Sequence, residues 1–423
     1  MPKLFISMIG LSQYTYTCYR MPENEGGLED HSAYQQTLLK KALKPDIIWL
    51  VGTEDAKNEH SHNIEHDKFI TIPKGSKAEE FWDIFKRISA ELDEMRSCNE
   101  AVKICLDLTH GFRTQPIFVL SAVRYYCRLY DDMFSISDVY YAMFEKGNEK
   151  NSILNATPIL EMENIAGEVR AFLEHGSSRS LADRLKKLED KYIKEIKNGI
   201  DRENPEIKGK ELSKLLAKRK KNHPILQYLC IKNDLVKFGD LIGLNYTPGA
   251  ADCISRLCKL SLKASESLDG EMVPIAKAFS KLNEELNKYF PNEDRPLWKW
   301  HAAIARWCLK RNFLQQALTH TNELLITRYC EETGLDPLNL ADRKKLPELV
   351  LTLKGKPREE LCKIWKEVVT LDLSLGNERN YVNHAFCRNS SIRIDQFSKT
   401  TRAKVESFLD FHMSLEKLPG LIS

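Results

Sequence analysis

The chain has 423 residues, with 63 Lys and Arg against 60 Asp and Glu. A net charge of +3 excludes a constitutive nucleic-acid binder held by charge alone, so any RNA contact must come from a local patch. The 42% hydrophobic content excludes global disorder, and the lack of an apolar run of about 18 residues argues against a membrane span.

At roughly 100–200 residues per domain, two or three domains are expected. The opening residues are too short and strand-like for a signal peptide, which predicts a cytoplasmic protein. The eleven cysteines form no C-x-x-C pair, and several sit in apolar runs (Cys105, Cys127, Cys308). Reduced, buried thiols fit better than disulfides or a zinc cluster.

In chain order, Lys3 to Ile9 is an apolar run closed by Gly10 and reads as a strand. His31 to Leu43 reads as a helix, and Asp46 to Val51, closed by Gly52, as a second strand. Lys68 to Ile72 is short and β-branched. Lys77 to Met95 has helical spacing, with Phe81, Ile84, Phe85, Ile88 and Leu92 on one face. Ala101 to Leu108 is a strong strand and Pro116 to Leu129 an apolar helix; Val139 to Phe144 and Ile153 to Leu160 close the set as strands. This alternation predicts a mainly parallel, Rossmann-like sheet covered on both faces, with ligands beyond the carboxyl ends of its strands.

After about residue 161 the β signal fades. Glu163 to Lys197 is amphipathic, with a break at Gly176-Ser177-Ser178. The basic run Lys218-Arg219-Lys220-Lys221 reads as a solvated helix face or linker in preference to an RNA contact. Short helices are expected from Pro224 to Tyr289, a boundary at Asn292 to Pro296, and one long helical pattern over Trp298 to Cys330.

Three strand ends carry small and polar residues: Ser7 to Tyr14, Gly52-Thr53-Glu54, and Asp107 to Arg113. Glycines let backbone N–H groups approach a ligand, while hydroxyls and Arg supply donors for phosphate. A helix starting near Arg113 would add its N-terminal amides. The loops together predict a pocket for a nucleotide-like anion. No G-x-G-x-x-G or Walker-type loop is present, which argues against a dinucleotide dehydrogenase and a P-loop ATPase.

Asp107-Leu108-Thr109-His110-Gly111, continued by Phe112-Arg113-Thr114-Gln115-Pro116, resembles the DxTHG signature of a family of type III CRISPR-associated proteins. Gly10, Tyr14 and Gly52-Thr53 fit the same pattern. The resemblance implies an N-terminal CARF domain, a Rossmann-like sensor of cyclic oligoadenylates. It further implies a homodimer, or a higher oligomer, that binds one ring across its two-fold axis. Cyclic tetra-adenylate is the expected ring, and the hexamer is second. The expected activator-binding residues are Ser7, Gly10, Gln13, Tyr14, Thr53, Thr109, His110, Gly111 and Arg113. His110 is also a candidate for degrading the bound ring.

A second constellation lies at Asn377 to His384. On a helix, Arg379 and Asn383 stack as i and i+4, and Asn380 and His384 form the adjacent row. Arg can hold a phosphate bidentately, and His has a pKa suited to moving protons. By itself the pattern is common on surfaces. Behind a CARF sensor, Arg379-Asn380-x-x-x-His384 resembles the R-x4-6-H motif of HEPN ribonucleases. The resemblance implies metal-independent cleavage of single-stranded RNA, leaving 2′,3′-cyclic phosphate and 5′-OH ends. Arg379, His384, Asn380 and Asn383 are the expected catalytic set. Glu323, on what resembles the long first HEPN helix, is a candidate to orient Arg379 and equally an ordinary surface acid.

The expected architecture is therefore α/β plus all-α: a CARF sensor at 1–160, a helical coupling region at 161–290 and a HEPN domain at 291–423. Neither cofactor nor metal is expected. His60, His62 and His66 lie near Glu59, Glu65 and Asp67, but no cysteine accompanies them and they read as an exposed loop. The rival readings are a CARF-type regulator with a degenerate helical domain and a ring nuclease that destroys the signal.

Overall fold

The computed structural model describes residues 1–98, 100–268, 270–290, 295–354 and 393–418, together with Thr370, Leu375, Glu378, Arg379, Asn380 and Val382. Contacts divide the chain into two compact units, Met1–Met162 and Glu163–Ser423.

The first unit is built on β1 (Lys3–Met8), β2 (Thr17–Arg20), β3 (Glu29–Ser32), β4 (Ile47–Gly52), β5 (Lys68–Thr71), β6 (Val102–Asp107), β7 (Phe134–Ala142) and β8 (Lys150–Asn155). They form one sheet in the order β3-β2-β8-β7-β6-β1-β4-β5. The pairs β4–β5, β1–β4, β1–β6 and β6–β7 are parallel, as the apolar runs demand of strands buried on both faces.

The pleat sorts side chains between two cores. Leu4, Ile6 and Met8 of β1 share a cluster with Ile84, Ile88 and Leu92 of α3 (Ala78–Arg96) and with Val119 and Val123 of α4 (Thr114–Leu129). Each of these fully buried aliphatic side chains contributes about 2 kcal/mol. Phe5 and Cys105 point the other way, onto Leu38, Leu39 and Leu43 of α1 (Gln35–Leu43). Ser7 and Asp107 lie on this α1 face by the same alternation.

Several boundaries differ from expectation. The segment from His31 opens as the end of β3; the Tyr34 N–H then donates to the Ser32 hydroxyl at 3.0 Å, and α1 starts at Gln35. The run Ile153 to Leu160 is strand only to Asn155, whose side chain accepts the Thr157 N–H at 2.9 Å; α5 (Pro158–His175) follows. Edge strand β3 and its neighbour β2 are four residues each, too short to carry an apolar alternation to read. Cys105 and Cys308 are buried, Cys127 is half-buried, and Cys98 and Cys230 are exposed thiols.

The second unit is helical: α6 (Arg179–Glu203), α7 (Gly209–Lys221), α8 (Leu226–Leu229), α9 (Ile231–Gly243), α10 (Thr247–Ser267), α11 (Val273–Tyr289), α12 (Leu297–Lys310), α13 (Leu314–Glu332), α14 (Leu340–Lys354) and the final described helix Ile394–Ser414. One apolar cluster runs from Phe172 through Phe238 and Trp307 to Phe408. The expected break after α5 falls at Gly176, whose φ is +66° and whose Cβ would lie 2.6 Å from the Trp307 ring.

The long pattern from Trp298 to Cys330 is two helices folded against each other. Asn312, at φ +65°, turns the chain between α12 and α13; asparagine tolerates that region better than other side chains. Arg402 of the final described helix secures the turn, donating to the Leu309 carbonyl at 2.7 Å.

The hairpin brings buried His301 and His320 together, their Nδ1 atoms 3.2 Å apart and 3.0 and 3.1 Å from the Thr247 hydroxyl. Burial holds His301 well below its ordinary value and pushes His320 down to about 4; His412, packed on Phe408, is pushed to about 3. In the unfolded chain these rings take up a proton near pH 6.5. Their folded pKa values are depressed, so stability is full above about pH 6.5 and falls as acid favours the unfolded state. The midpoint of urea unfolding should therefore drop between pH 7 and pH 5. A midpoint that stays constant over that range would mean that these histidines are not held neutral by the fold.

Candidate functional site

In the sheet, β4 and β5 lie on one side of β1 and β6 and β7 on the other, so the strand order switches between β1 and β6. At such a point the outgoing loops separate and leave a crevice. The loops after β1, β4 and β6 meet here, backbone to backbone. A Cβ on Gly10 would lie 3.0 Å from the Gly111 nitrogen, and one on Gly52 would lie 2.8 Å from the Ile9 carbonyl. Gly111 itself has φ +100°, a conformation that other residues adopt with strain. The glycines let the three loops converge.

Beneath them sits Asp107, fully buried at the end of β6. Its Oδ2 accepts from the Ser7 hydroxyl at 2.6 Å and from Gln35 Nε2 at 3.1 Å. Its Oδ1 accepts from the Thr109 N–H at 3.1 Å and from the Thr109 hydroxyl in a short bond. A buried carboxylate is tolerable only with its lone pairs satisfied in this way. The Thr109 hydroxyl also accepts the Ala142 N–H at 2.9 Å, tying the loop to β7.

Gln35 passes the network on. With Nε2 given to Asp107, its Oε1 accepts from His110 Nε2–H at 2.9 Å. Burial lowers the His110 pKa, with Asp107 opposing and His60 reinforcing, so the ring is neutral near pH 7. Tyr14 packs between His110, His60 and Tyr34, with ring centroids 4.4, 4.6 and 4.7 Å away. Its hydroxyl accepts the Gly10 N–H at 3.0 Å, and burial keeps it protonated. Tyr34 OH bonds His60 Nδ1 at 3.3 Å, and His60 Nε2 is buried without a protein partner among the described residues.

Above this layer opens a cavity of about 400 Å³, lined by Ile9, Gly10, Ser12, Thr53, Gly111 and Phe112 among others. The start of α4 closes one side. The Phe112 N–H donates to Gln115 Oε1 at 2.9 Å, and Gln115 Nε2 donates to the Pro73 carbonyl at 2.7 Å. Gln115 thus ties the residues before α4 to the loop after β5.

Of the residues expected to contact a ligand, Gly10, Thr53 and Gly111 line the cavity. Gln13 and Arg113 are exposed, Arg113 immediately before α4. Ser7 is wholly buried and Thr109 is turned onto Asp107, so both hold the carboxylate that shapes the loop. The Thr53 hydroxyl caps α2 (Glu54–His60), accepting the Ala56 N–H at 3.3 Å. Sequence reading missed Gln35, Tyr34 and Gln115. Gln35 carried a signal: it lies on the apolar stripe of α1 with Leu38, Leu39 and Ala42, where a polar residue needs a buried partner.

The histidine cluster is no exposed loop. His60 ends α2 and is buried, while His62 is exposed and His66 bonds the Ile64 carbonyl. Among the described residues no group of three His, Cys, Asp or Glu is placed to hold a metal ion.

In the helical unit, Arg379 and Asn380 are helical, and Asn383 and His384 lie outside the described residues. Glu378 accepts from the Thr401 hydroxyl at 3.1 Å and from Lys404 at 2.5 Å, fastening the motif to the final described helix. Arg379 is half-buried, with no partner for its Nε among the described residues. Glu323, considered as its orienting acid, is paired with Arg343.

Residues 4–158 match the family described as CRISPR system endoribonuclease Csx1, CARF domain. Among curated proteins, the chain is 24% identical over 219 residues to CRISPR-associated protein MJ1674 of Methanocaldococcus jannaschii. That alignment covers 47% of this chain and 31% of the relative, so it spans about a third of the relative's length. Among solved structures, Enterococcus italicus Csm6 bound to cyclic hexa-2′-fluoro-hexa-dAMP aligns with a TM-score of 0.32 and 13% identity. The alignment covers 98% of this chain and 97% of that one. Among the described residues no helix is long and apolar enough to cross a membrane.

Proposed function

With its N-terminal unit a CRISPR-associated CARF domain, we propose that this chain is an endoribonuclease of type III CRISPR defence, switched on by a cyclic oligoadenylate. The observation that carries the reading is the cavity over Asp107, where three glycine-bearing loops converge at the switch point of the sheet. Backbone amides, Thr53 and the N-terminus of α4 offer donors to phosphate there, and exposed Arg113 adds a charge. A homodimer would present the same donors twice, which suits a symmetric ring. Ring binding activates to the extent that it favours one dimer arrangement over another.

The effector is assigned to the HEPN-like region at 291–423, with 161–290 coupling it to the sensor. Arg379 neutralises charge on the scissile phosphate while His384 moves the 2′-OH or leaving-group proton, and Asn380 and Asn383 orient the ribose. The 2′-oxygen attacks its own phosphorus and the 5′-oxygen leaves, giving a 2′,3′-cyclic phosphate and a 5′-OH. No step calls for a metal.

The test uses a fluorescent single-stranded RNA with EDTA present, adding AMP, cyclic tetra-adenylate or cyclic hexa-adenylate in turn. Cleavage is expected with one ring, foremost the tetramer, and none with AMP. A ring that binds without switching on cleavage would overturn the ribonuclease reading in favour of a regulator or a ring nuclease.

A further inference from the structure

The basic run falls on helix α7. It carries Lys210, Lys214, Lys218, Arg219, Lys220 and Lys221 against a single acid, Glu211. Arg219 pairs with Glu203. The five lysines have no carboxylate at ion-pair distance among the described residues, whereas on α6 Lys186 is held by Glu189 and Asp190. Cations in the last turn complement the helix dipole, which accounts for Lys218 to Lys221. It does not account for Lys210, in the first turn, where positive charge is disfavoured, or for Lys214 in the second. Lys210, Lys214 and Lys218 form one exposed i, i+4, i+8 row, with a cation about every 6 Å.

Beside the row, α6, α7 and the residues after α7 border an open cavity of about 600 Å³, lined by Ile196, Gly199, Lys218, Asn222 and His223, with Glu195 its one acid. That volume suits a nucleoside-sized group. Gly199 leaves it open: a Cβ there meets nothing within 4 Å. His223 Nδ1 accepts the Ile225 and Leu226 N–H groups at 3.3 and 3.4 Å, which leaves Nε2 as the ring's donor. Asn222 adds an amide with both a donor and an acceptor.

We propose that this row and cavity bind single-stranded RNA, with phosphates along Lys210, Lys214 and Lys218 and one base in the cavity. Evenly spaced, unneutralised cations match a repeating phosphodiester, and a mostly apolar cavity of this size, with Asn222 and His223 in its wall, gives a base its place. An acidic protein partner would make no use of the cavity. The choice of RNA rests on the ribonuclease reading; the surface itself does not.

The test measures anisotropy of a fluorescein-labelled oligouridine on the full chain carrying His384→Ala, so that the strand is not cut. Adding Lys210→Glu, Lys214→Glu and Lys218→Glu together should weaken binding roughly tenfold or more and reduce the slope of log affinity against log salt by about 2. Adding Gly199→Phe alone should weaken binding with the salt slope unchanged and the melting temperature not lowered, since phenylalanine costs a helix less than glycine. A triple variant with the parent's affinity and salt slope would overturn the proposal and point to an acidic protein partner. A Gly199→Phe variant that binds like the parent would overturn the base pocket. Cleavage by the chain with His384 intact is read separately, so failure of the ribonuclease reading stays distinguishable from failure of this surface.

Discussion

Replacing His384 with Ala should lower ring-activated RNA cleavage by about a thousandfold or more and leave ring affinity unchanged. A positioned acid–base group contributes roughly 10²–10⁴ in rate, and no other histidine belongs to the motif. Arg379→Ala should cost roughly 10²–10³ through lost charge stabilisation at the phosphate. Arg113→Ala should do the converse. A charge-assisted hydrogen bond to phosphate contributes about 1.5–3 kcal/mol, so the ring concentration for half activation should rise roughly 10- to 100-fold. Saturating ring should then restore the full rate. The two variants together separate sensing from cutting, with ring binding followed by calorimetry and cleavage by fluorescence. A His384→Ala enzyme that cleaves at the wild-type rate would move the active site elsewhere in the chain.

The second large effect is expected at Asp107, which contacts no solvent. Asp107→Ala strands the Ser7 hydroxyl, Gln35 Nε2 and both Thr109 donors around a small void. Each buried donor left without an acceptor costs about 1–3 kcal/mol, and some will find new partners. A net loss of about 3 kcal/mol is expected in denaturant unfolding, together with loss of ring binding as the Thr109-His110-Gly111 turn relaxes. Asp107→Asn keeps the shape but turns one acceptor into a donor, facing a Gln35 amide or a hydroxyl that also donates. It should fall between the two. Stability within about 0.5 kcal/mol of wild type for Asp107→Ala would show that the network is not what shapes the loop.

The α/β unit was legible because its signals are local. Buried parallel strands such as Leu4 to Ile6 and Ile48 to Val51 are continuous apolar runs, and the polar turns after them stand out. The β signal fades after about residue 160, and the contacts divide the chain into Met1–Met162 and Glu163–Ser423. The helix break at Gly176 was legible because glycine supplies a positive φ there. The turn at Asn312 was not, because helical spacing continues on both sides and only packing against Arg402 distinguishes a hairpin from a straight helix. The histidine cluster misled for the opposite reason: its composition suggested a loop, while His60 is drawn into the aromatic stack with Tyr14 and Tyr34.

By itself the sequence determined the α/β character of the first unit followed by helices, the strand ends that line the cavity, and where the DxTHG residues and the Arg379 and His384 pattern stand in the chain. All of these are set by neighbours within a few residues or by a single strand's period. Only the tertiary structure decided what the polar residues do. Asp107 faces inward because the pleat of β6 and its pairing with Ser7 of β1 turn it toward α1. Gln35 joins Asp107 to His110 across 72 and 75 residues of chain. No local pattern encodes such a partnership; it follows from the sheet order and from the free-energy cost of leaving a buried carboxylate, amide or imidazole without a partner.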